Sequence, residues 1–333
     1  MPIPEKMKCI KITKFGSPEN LQLAYNEVPT ISENEILIHV KASGVNRPDI
    51  LQRKGLYLPP VGASKILGLE VSGKVVKVGK RVKFPKINQK VCALVHGGGY
   101  AEFCKVHYSH VLSIPKGLSY IEAAGIPETY FTVWANLFDI AKIKKNNTVL
   151  IHGGSSGIGT TAIQLAKNLG CRVITTVRNE KKKRFCEDLG ADLAIVYSKE
   201  NFFKQAQNFT KKKGVDIILD MIGKSYFNKN LKLLKNKGKF ISIAFLTGKD
   251  VKLNLSIILQ KRITITGSTL RPRTIKEKAR IAKSVKKLCW TLFENKVIKP
   301  IIYKTFSLNE PIKAHKLMES NEHIGKIILI NKN

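Results

Sequence analysis

Apolar residues change their spacing twice along the chain. Over residues 7–13, 35–42, 71–78, 90–94 and 100–106 they come in continuous or alternating runs of strand length, broken by Gly and Pro. That spacing predicts short β-strands. One brief helix is expected at 48–54, so the first 118 or so residues read as a β-rich domain, a barrel-like sheet. From 119 onward helix and strand alternate. Ser119, followed by Glu122 three residues on, forms a capping box that opens a helix. A second helix, 128–141, follows Pro127. Strands are expected at 148–152, 172–177, 193–197, 215–220, 240–244 and 263–267. Helices lie between them at 157–169, 181–189, 200–212 and 225–235, the first two stopped by Gly170 and Gly190. Six strands in this alternation predict a parallel, doubly wound sheet with helices on both faces. The tail reads as a helix over 274–294, a strand over 301–306, a helix over 311–320 and a strand over 326–330. Its two strands are expected to rejoin the first domain. The chain divides accordingly into 1–125, 126–270 and 271–333.

Composition narrows the class. The chain has 333 residues, 43% of them hydrophobic, a share that suits a globular protein. No apolar run approaches the roughly 18 residues of a membrane helix, and the start lacks the apolar centre of a signal peptide. Six Cys in 333 residues, with no C-x-x-C pair, make no disulfide scaffold. A reducing cytoplasm is the expected compartment, with no membrane partner. Lys plus Arg is 58 against 24 Asp plus Glu, a formal net charge of +34. The basic residues are spread along the whole chain, densest at 181–184 and 211–213. They read as a solvated basic surface, abundant alongside Ile and Asn, rather than a nucleic-acid site. Such a surface would still attract phosphorylated cofactors.

The strongest chemical signal runs from Val149 to Gly159, where an apolar strand feeds Gly153-Gly154-Ser155-Ser156-Gly157-Ile158-Gly159 and a helix starts at once. Glycines let the backbone approach a pyrophosphate, and a helix start offers unpaired N–H groups and a positive dipole end. The spacing departs from G-x-G-x-x-G, but the βαβ setting supports a dinucleotide turn. The next strand ends Val177-Arg178-Asn179-Glu180, followed by Lys181-Lys182, with no carboxylate at its tip. Arg178 and Lys182 could hold a 2′-phosphate, which points to NADPH rather than NADH. Glu180 is the alternative ribose ligand, or simply a first-turn acid favoured by the helix dipole. Cys104, His107 and His110, with Cys92 and His96, invite a zinc reading. They sit on a strand-like segment whose neighbours point to opposite faces, and no metal is expected there. No evident Cys–His pair supports acyl transfer.

Several segments together carry a resemblance. They are Ala42-Ser43-Gly44-Val45-Asn46-Arg47-Pro48-Asp49, Gln52 to Tyr57, Ile66-Leu67-Gly68-Leu69-Glu70-Val71-Ser72-Gly73 and Gly98 to Glu102. Ile126-Pro127-Glu128 with Thr132, Gln164 and Lys167 after the glycine turn, and His323 to Ile327 complete the set. They resemble the medium-chain dehydrogenase/reductase superfamily over about residues 7–330. More narrowly they resemble its zinc-independent quinone oxidoreductases related to ζ-crystallin, nearest the tumour-suppressor-induced branch. The resemblance implies a GroES-like β-rich catalytic domain, a Rossmann NADP-binding domain and a C-terminal segment rejoining the first. It implies NADPH-dependent reduction of quinones or related conjugated carbonyls without metal. Zinc-binding relatives carry Cys where this chain has Asn46, and G-H-E where it has Gly68-Leu69-Glu70. Asn46 and Thr132 are implied near the nicotinamide, and Tyr57 as the candidate donor to a substrate carbonyl. Ser155, Ser156, Gly157, Ile158 and Gly159 would cradle the pyrophosphate. Arg178, Asn179, Lys182 and Tyr197 would meet the adenosine phosphate end, and Phe245 would wall the pocket. Glu70 reads as structural. Two alternatives stay open: a 2-enoyl-thioester reductase of the same superfamily, and a basic Rossmann protein that binds nucleic acid. The strand over 262–267 is an apolar sheet edge, from which a homodimer is expected.

Overall fold

A computed structural model of the chain describes residues 2–331; Met1 and residues 332–333, at the outer ends of the first and third expected segments, lie outside it. The described chain separates into two compact units, one formed by the residues up to Phe131 together with those from Arg271, the other by Thr132–Leu270.

In the first unit β1 (Lys6–Ile12) pairs antiparallel with β2 (Leu21–Glu27). The β2 strand is not among the expected strands; its alternating Leu21, Leu23 and Tyr25 put only Leu21 in the core, and the other two are exposed. The long β3 (Glu35–Val45) is buried nearly throughout and runs three residues past the expected end. Gly44 permits this: a Cβ there would stand 2.0 Å from the Glu70 carboxylate. The strand therefore delivers Asn46 to the start of α1 (Arg47–Arg53). Next come β4 (Glu70–Val78), β5 (Lys90–Leu94), β6 (Phe103–His107), β7 (Val111–Ser113) and two short helices, α2 (Tyr120–Ala123) and α3 (Pro127–Val133). The Ser119 capping box forms as read, with the Ser119 amide 2.9 Å from Glu122 Oε2 and the Glu122 amide 3.2 Å from Ser119 Oγ.

The second unit opens on a π-helical stretch, Trp134–Ile140, within the expected α-helix. The extra residue shows in the Ala141 amide reaching Asn136 O. The Asn136 side chain is tied to Thr132 O at 2.8 Å and to Ser268 Oγ at 2.8 Å. Then β8 (Thr148–His152), α4 (Gly157–Asn168), β9 (Arg172–Val177), α5 (Glu180–Asp188), β10 (Leu193–Val196), α6 (Phe202–Phe209), β11 (Val215–Asp220), α7 (Phe227–Leu233), β12 (Leu234–Ser242), α8 (Ser256–Lys261) and β13 (Thr264–Gly267) alternate. All strand pairs are parallel, in the order β10-β9-β8-β11-β12-β13. This is the doubly wound order 3-2-1-4-5-6, whose reversal point lies beside β8. The helix expected over 225–235 stops at Leu233, because Leu234 is buried and already pairs with Val215. The register then shifts before Lys239, with Lys237 in the left-handed region.

The chain returns to the first unit through α9 (Ile275–Glu294), β14 (Ile302–Ser307), α10 (Pro311–Ser320) and β15 (Lys326–Ile330). These strands join the sheet in the order β14-β15-β3-β4-β5-β7, with β6 against β3, so both tail strands do rejoin the first domain.

Candidate functional site

Each unit holds one constellation of its own. In the second unit it is the turn after β8. The Ser156 side chain caps α4, its Oγ accepting from the Gly159 amide at 3.0 Å. The Ser156 amide in turn reaches Gly153 O at 2.9 Å, which closes the turn, and Gly153 takes a left-handed φ of 72°. Two glycines are required by close approach. A Cβ on Gly154 would meet Thr175 Oγ1 at 2.0 Å, and one on Gly159 would meet Gly153 O at 2.3 Å. Backbone packed this closely, opening a helix of 12 residues, fits a pyrophosphate cradle. The amides of Gly157 and Ile158 lie in the first turn, where α-helical amides lack intrahelical partners. Beneath the turn His152 is fully buried, with Nε2 2.8 Å from Asn230 Oδ1 and Nδ1 3.0 Å from Thr176 Oγ1. Burial holds it down at about 4, so it is a neutral structural imidazole.

The adenosine-end candidates cluster at the tips of β9 and β10. Arg178 is exposed and follows β9 directly; its carbonyl accepts from Ser198 Oγ at 2.9 Å. Asn179 caps α5, accepting from the Lys182 amide at 3.0 Å. Tyr197 follows β10 and is exposed, its amide 3.1 Å from Val177 O. Lys182 is buried, an enclosure its position in a lysine run conceals. Glu180 is exposed, with its Oε1 3.4 Å from the Lys199 ammonium. Phe245 is exposed in the loop after β12, and Thr132 is half-buried with its carbonyl held by Asn136. Asp220, at the end of β11, was not singled out from sequence. It is fully buried, accepts from the Gly223 amide at 2.8 Å, and is pushed up to about 6 by desolvation.

In the first unit a polar constellation gathers from six separated segments. Asn46 Nδ2 donates to Glu70 Oε1 at 2.9 Å. The Lys326 ammonium lies 2.6 Å from that same oxygen and 2.6 Å from Asn46 Oδ1. All three residues are buried. The other Glu70 oxygen accepts the Glu128 amide at 2.8 Å, which anchors the first turn of α3. Nearby, Asp49 receives the Asn46 and Gly68 amides at 2.8 and 2.9 Å; desolvation nonetheless pushes it up to about 6. Arg271 is clamped by His96 O and by Gln52 Oε1 at 2.8 Å, and its guanidinium carbon sits 5.7 Å from the Tyr57 ring centre. Lys278 donates to His96 Nε2 and to Arg271 O. Tyr57 is half-buried and its phenol is raised by burial. Glu128 is half-buried too, and desolvation with the neighbouring Glu70 raises it to about 8.

Sequence reading found Asn46 and Tyr57 but gave Glu70 only a structural role and none to Glu128, Arg271, Lys278 or Lys326. The available signal was charge inside apolar runs: Glu70 in Ile66–Val71 and Lys326 in Ile324–Ile330.

Among the described residues no three His, Cys, Asp or Glu are grouped so as to hold a metal ion. Cys104 is buried with its thiol raised to about 12 and its Sγ toward Gly97 O at 3.6 Å. His107 Nδ1 bonds Ser109 Oγ at 2.7 Å and His110 Nε2 lies 3.2 Å from Ile275 O, so these atoms are committed elsewhere. The Asn46–Leu69–Glu70 set does not fit zinc either. Leu69 has no donor, and the Glu70 oxygen nearest Asn46 already carries an ammonium. Among the described residues, no helix is long and apolar enough to cross a membrane.

Comparison with known proteins agrees with this architecture. A family model for the alcohol dehydrogenase GroES-like domain matches residues 32–143, and one for zinc-binding dehydrogenases matches 157–284. Mouse quinone oxidoreductase is 28% identical over 97% of this chain and 98% of its own. The structure of Escherichia coli quinone oxidoreductase complexed with NADPH superposes with a TM-score of 0.88 at 28% identity, covering 97% of this chain and 99% of that one. CurK enoyl reductase shares the fold at a TM-score of 0.86 and 24% identity, covering 99% of this chain and 100% of that one. Two domain models that together span more than two thirds of the sequence lead to one conclusion: the chain belongs to the medium-chain dehydrogenase/reductase superfamily, and over nearly its whole length it is similar to quinone oxidoreductases.

Proposed function

We propose that this protein reduces quinones, or closely related conjugated carbonyls, with NADPH. The observation that carries the reading is the polar constellation of the first unit. It presents an amide, a phenol, a guanidinium and a half-buried carboxyl, groups that can hold and polarise a carbonyl, which suits an acceptor already electrophilic enough to take hydride. NADPH, when bound, supplies the hydride. Residues Ser155 to Gly159 bind its pyrophosphate through backbone amides, and Arg178 with Tyr197 meets the 2′-phosphate and adenosine. Lys182 contributes positive field there from a buried position. Asn46, locked by Glu70 and Lys326, has no rotamer freedom to lose in orienting the nicotinamide, a task in which Thr132 assists. Tyr57 donates a hydrogen bond to the acceptor carbonyl. Phe245 covers the reactive end.

The test is an acceptor panel. NADPH oxidation is expected with a naphthoquinone and with a simple enone, and not with crotonyl-CoA. Turnover of crotonyl-CoA above the quinone would replace this reading by the enoyl-thioester reductase. NADPH-competed, steeply salt-dependent RNA binding with no turnover would support the nucleic-acid alternative.

The same reading includes a cytoplasmic homodimer. Its support is β13 at the sheet edge, next to α8 with Leu255 and Leu259 exposed, and six free thiols, all buried. Light scattering at micromolar concentration should give twice the chain mass; the mass of one chain would refute it.

A further inference from the structure

We propose that Glu128 is the proton donor of the site, its carboxyl protonating the oxyanion that hydride addition leaves on the acceptor. This rests on the function proposed above and names a group for a step that function leaves open. The position is fixed by the backbone: Pro127 starts α3, and the Glu128 amide is held on Glu70 Oε2 at 2.8 Å. The carboxyl itself makes no hydrogen bond or ion pair among the described residues, although it is only half-buried and charged groups face it from five segments. Glu70 of β4 and Asp49 of α1 repel its ionised form; Lys326 of β15 and Lys278 of α9 favour it. Arg271 and Tyr57, stacked 5.7 Å apart, feel the same carboxyl. Enclosure and the two carboxylates win, leaving a proton on Glu128 up to about pH 8. Lys278 is drawn down to about 8 by its own burial, and His96, at about 4, stays neutral as its acceptor.

A structural carboxylate in such a place would be paired; Glu70 shows what that looks like, with both oxygens occupied. Glu128 instead keeps its proton, makes no such pair, and acts electrostatically on the Tyr57 phenol and the Arg271 guanidinium. The step balances simply. The acceptor's β-carbon gains a C–H bond from the hydride as NADPH is oxidised to NADP⁺; the C=C pair shifts toward the carbonyl carbon and the carbonyl π pair becomes a C–O⁻ stabilised by Tyr57. The Glu128 O–H then breaks as an O–H forms on that oxygen, giving an enol, which from a quinone tautomerises to the hydroquinone. Water returns a proton to the carboxylate before the next cycle.

Two measurements test this. Infrared titration of the cofactor-free protein should show a protonated carboxyl band at pH 7 that disappears near pH 8 and is missing in Glu128→Gln. In steady state, wild-type kcat/KM should fall above about pH 8. Glu128→Gln should lose that limb and lower kcat about a hundredfold on an enone, whose enolate is strongly basic, and less on a quinone. Glu128→Asp should restore part of the limb. A wild type that turns over either acceptor but lacks the band, or a Glu128→Gln variant with an unchanged pH profile, overturns the inference alone. A wild type that reduces neither acceptor, even with the band present, overturns the proposed function and the donor role with it.

Discussion

The glycine turn of the second unit and the polar constellation of the first are built on opposite plans. The turn is contiguous and made of backbone: seven residues in sequence, two of them glycines that nothing larger can replace. The constellation is dispersed and made of side chains, drawn from α1 and the residue before it, β4, α3, the segment before α9, α9 itself and β15. The first plan tolerates changes of side-chain chemistry but not of volume. The second tolerates little change of charge, because each buried ion is paid for by a specific partner.

The sharpest way to break this contrast is to remove one such partner. Lys326→Met leaves Glu70 buried beside Asn46 with its ammonium gone and should cost about 3–5 kcal/mol in denaturant unfolding. The double variant Glu70→Gln with Lys326→Met should recover much of that. Equal stability of single and double variants would mean the pair is not coupled. A second test concerns His152, the buried imidazole under the turn. Its folded value of about 4 lies below the ordinary 6.5, so between those values the unfolded chain binds the extra proton. Stability should therefore fall as pH drops from 6.5 toward 4, by up to about 3 kcal/mol from this group. His152→Gln should flatten that slope in urea unfolding across the window; an unchanged slope would place the acid sensitivity elsewhere. A smaller effect is expected at the exposed cation of the turn's neighbourhood. Arg178→Ala should weaken NADPH by about 1.5–3 kcal/mol, roughly tenfold to a hundredfold, with NADH nearly unaffected in the same fluorescence titration. Equal losses for both cofactors would remove Arg178 from the phosphate.

The same contrast explains how much could be read in advance. The βαβ alternation, the capping box at Ser119 and the turn at Gly153–Gly159 are local, so period and spacing exposed them. The strand β2 was not singled out although Leu21, Leu23 and Tyr25 alternate along it, and in the fold only Leu21 of the three is buried; α7 was overextended because Leu233 and Leu234 suit a helix and a strand equally. Asn46 and Tyr57 were legible only through motif resemblance. Glu128, Arg271, Lys278 and Lys326 were not assigned roles, since no sequence spacing reports that residues 46, 70 and 326 meet within hydrogen-bond distance. Lys182 shows the converse: a lysine inside a basic run reads as surface, and tertiary packing buries it.

The central claim is hydride transfer from NADPH to a quinone by a site that needs no metal. Protein dialysed against a strong chelator, with residual zinc determined by elemental analysis, should oxidise NADPH with a naphthoquinone at the rate of untreated protein, and added zinc should not raise it. A rate lost on chelation and restored by one zinc per chain would contradict the account.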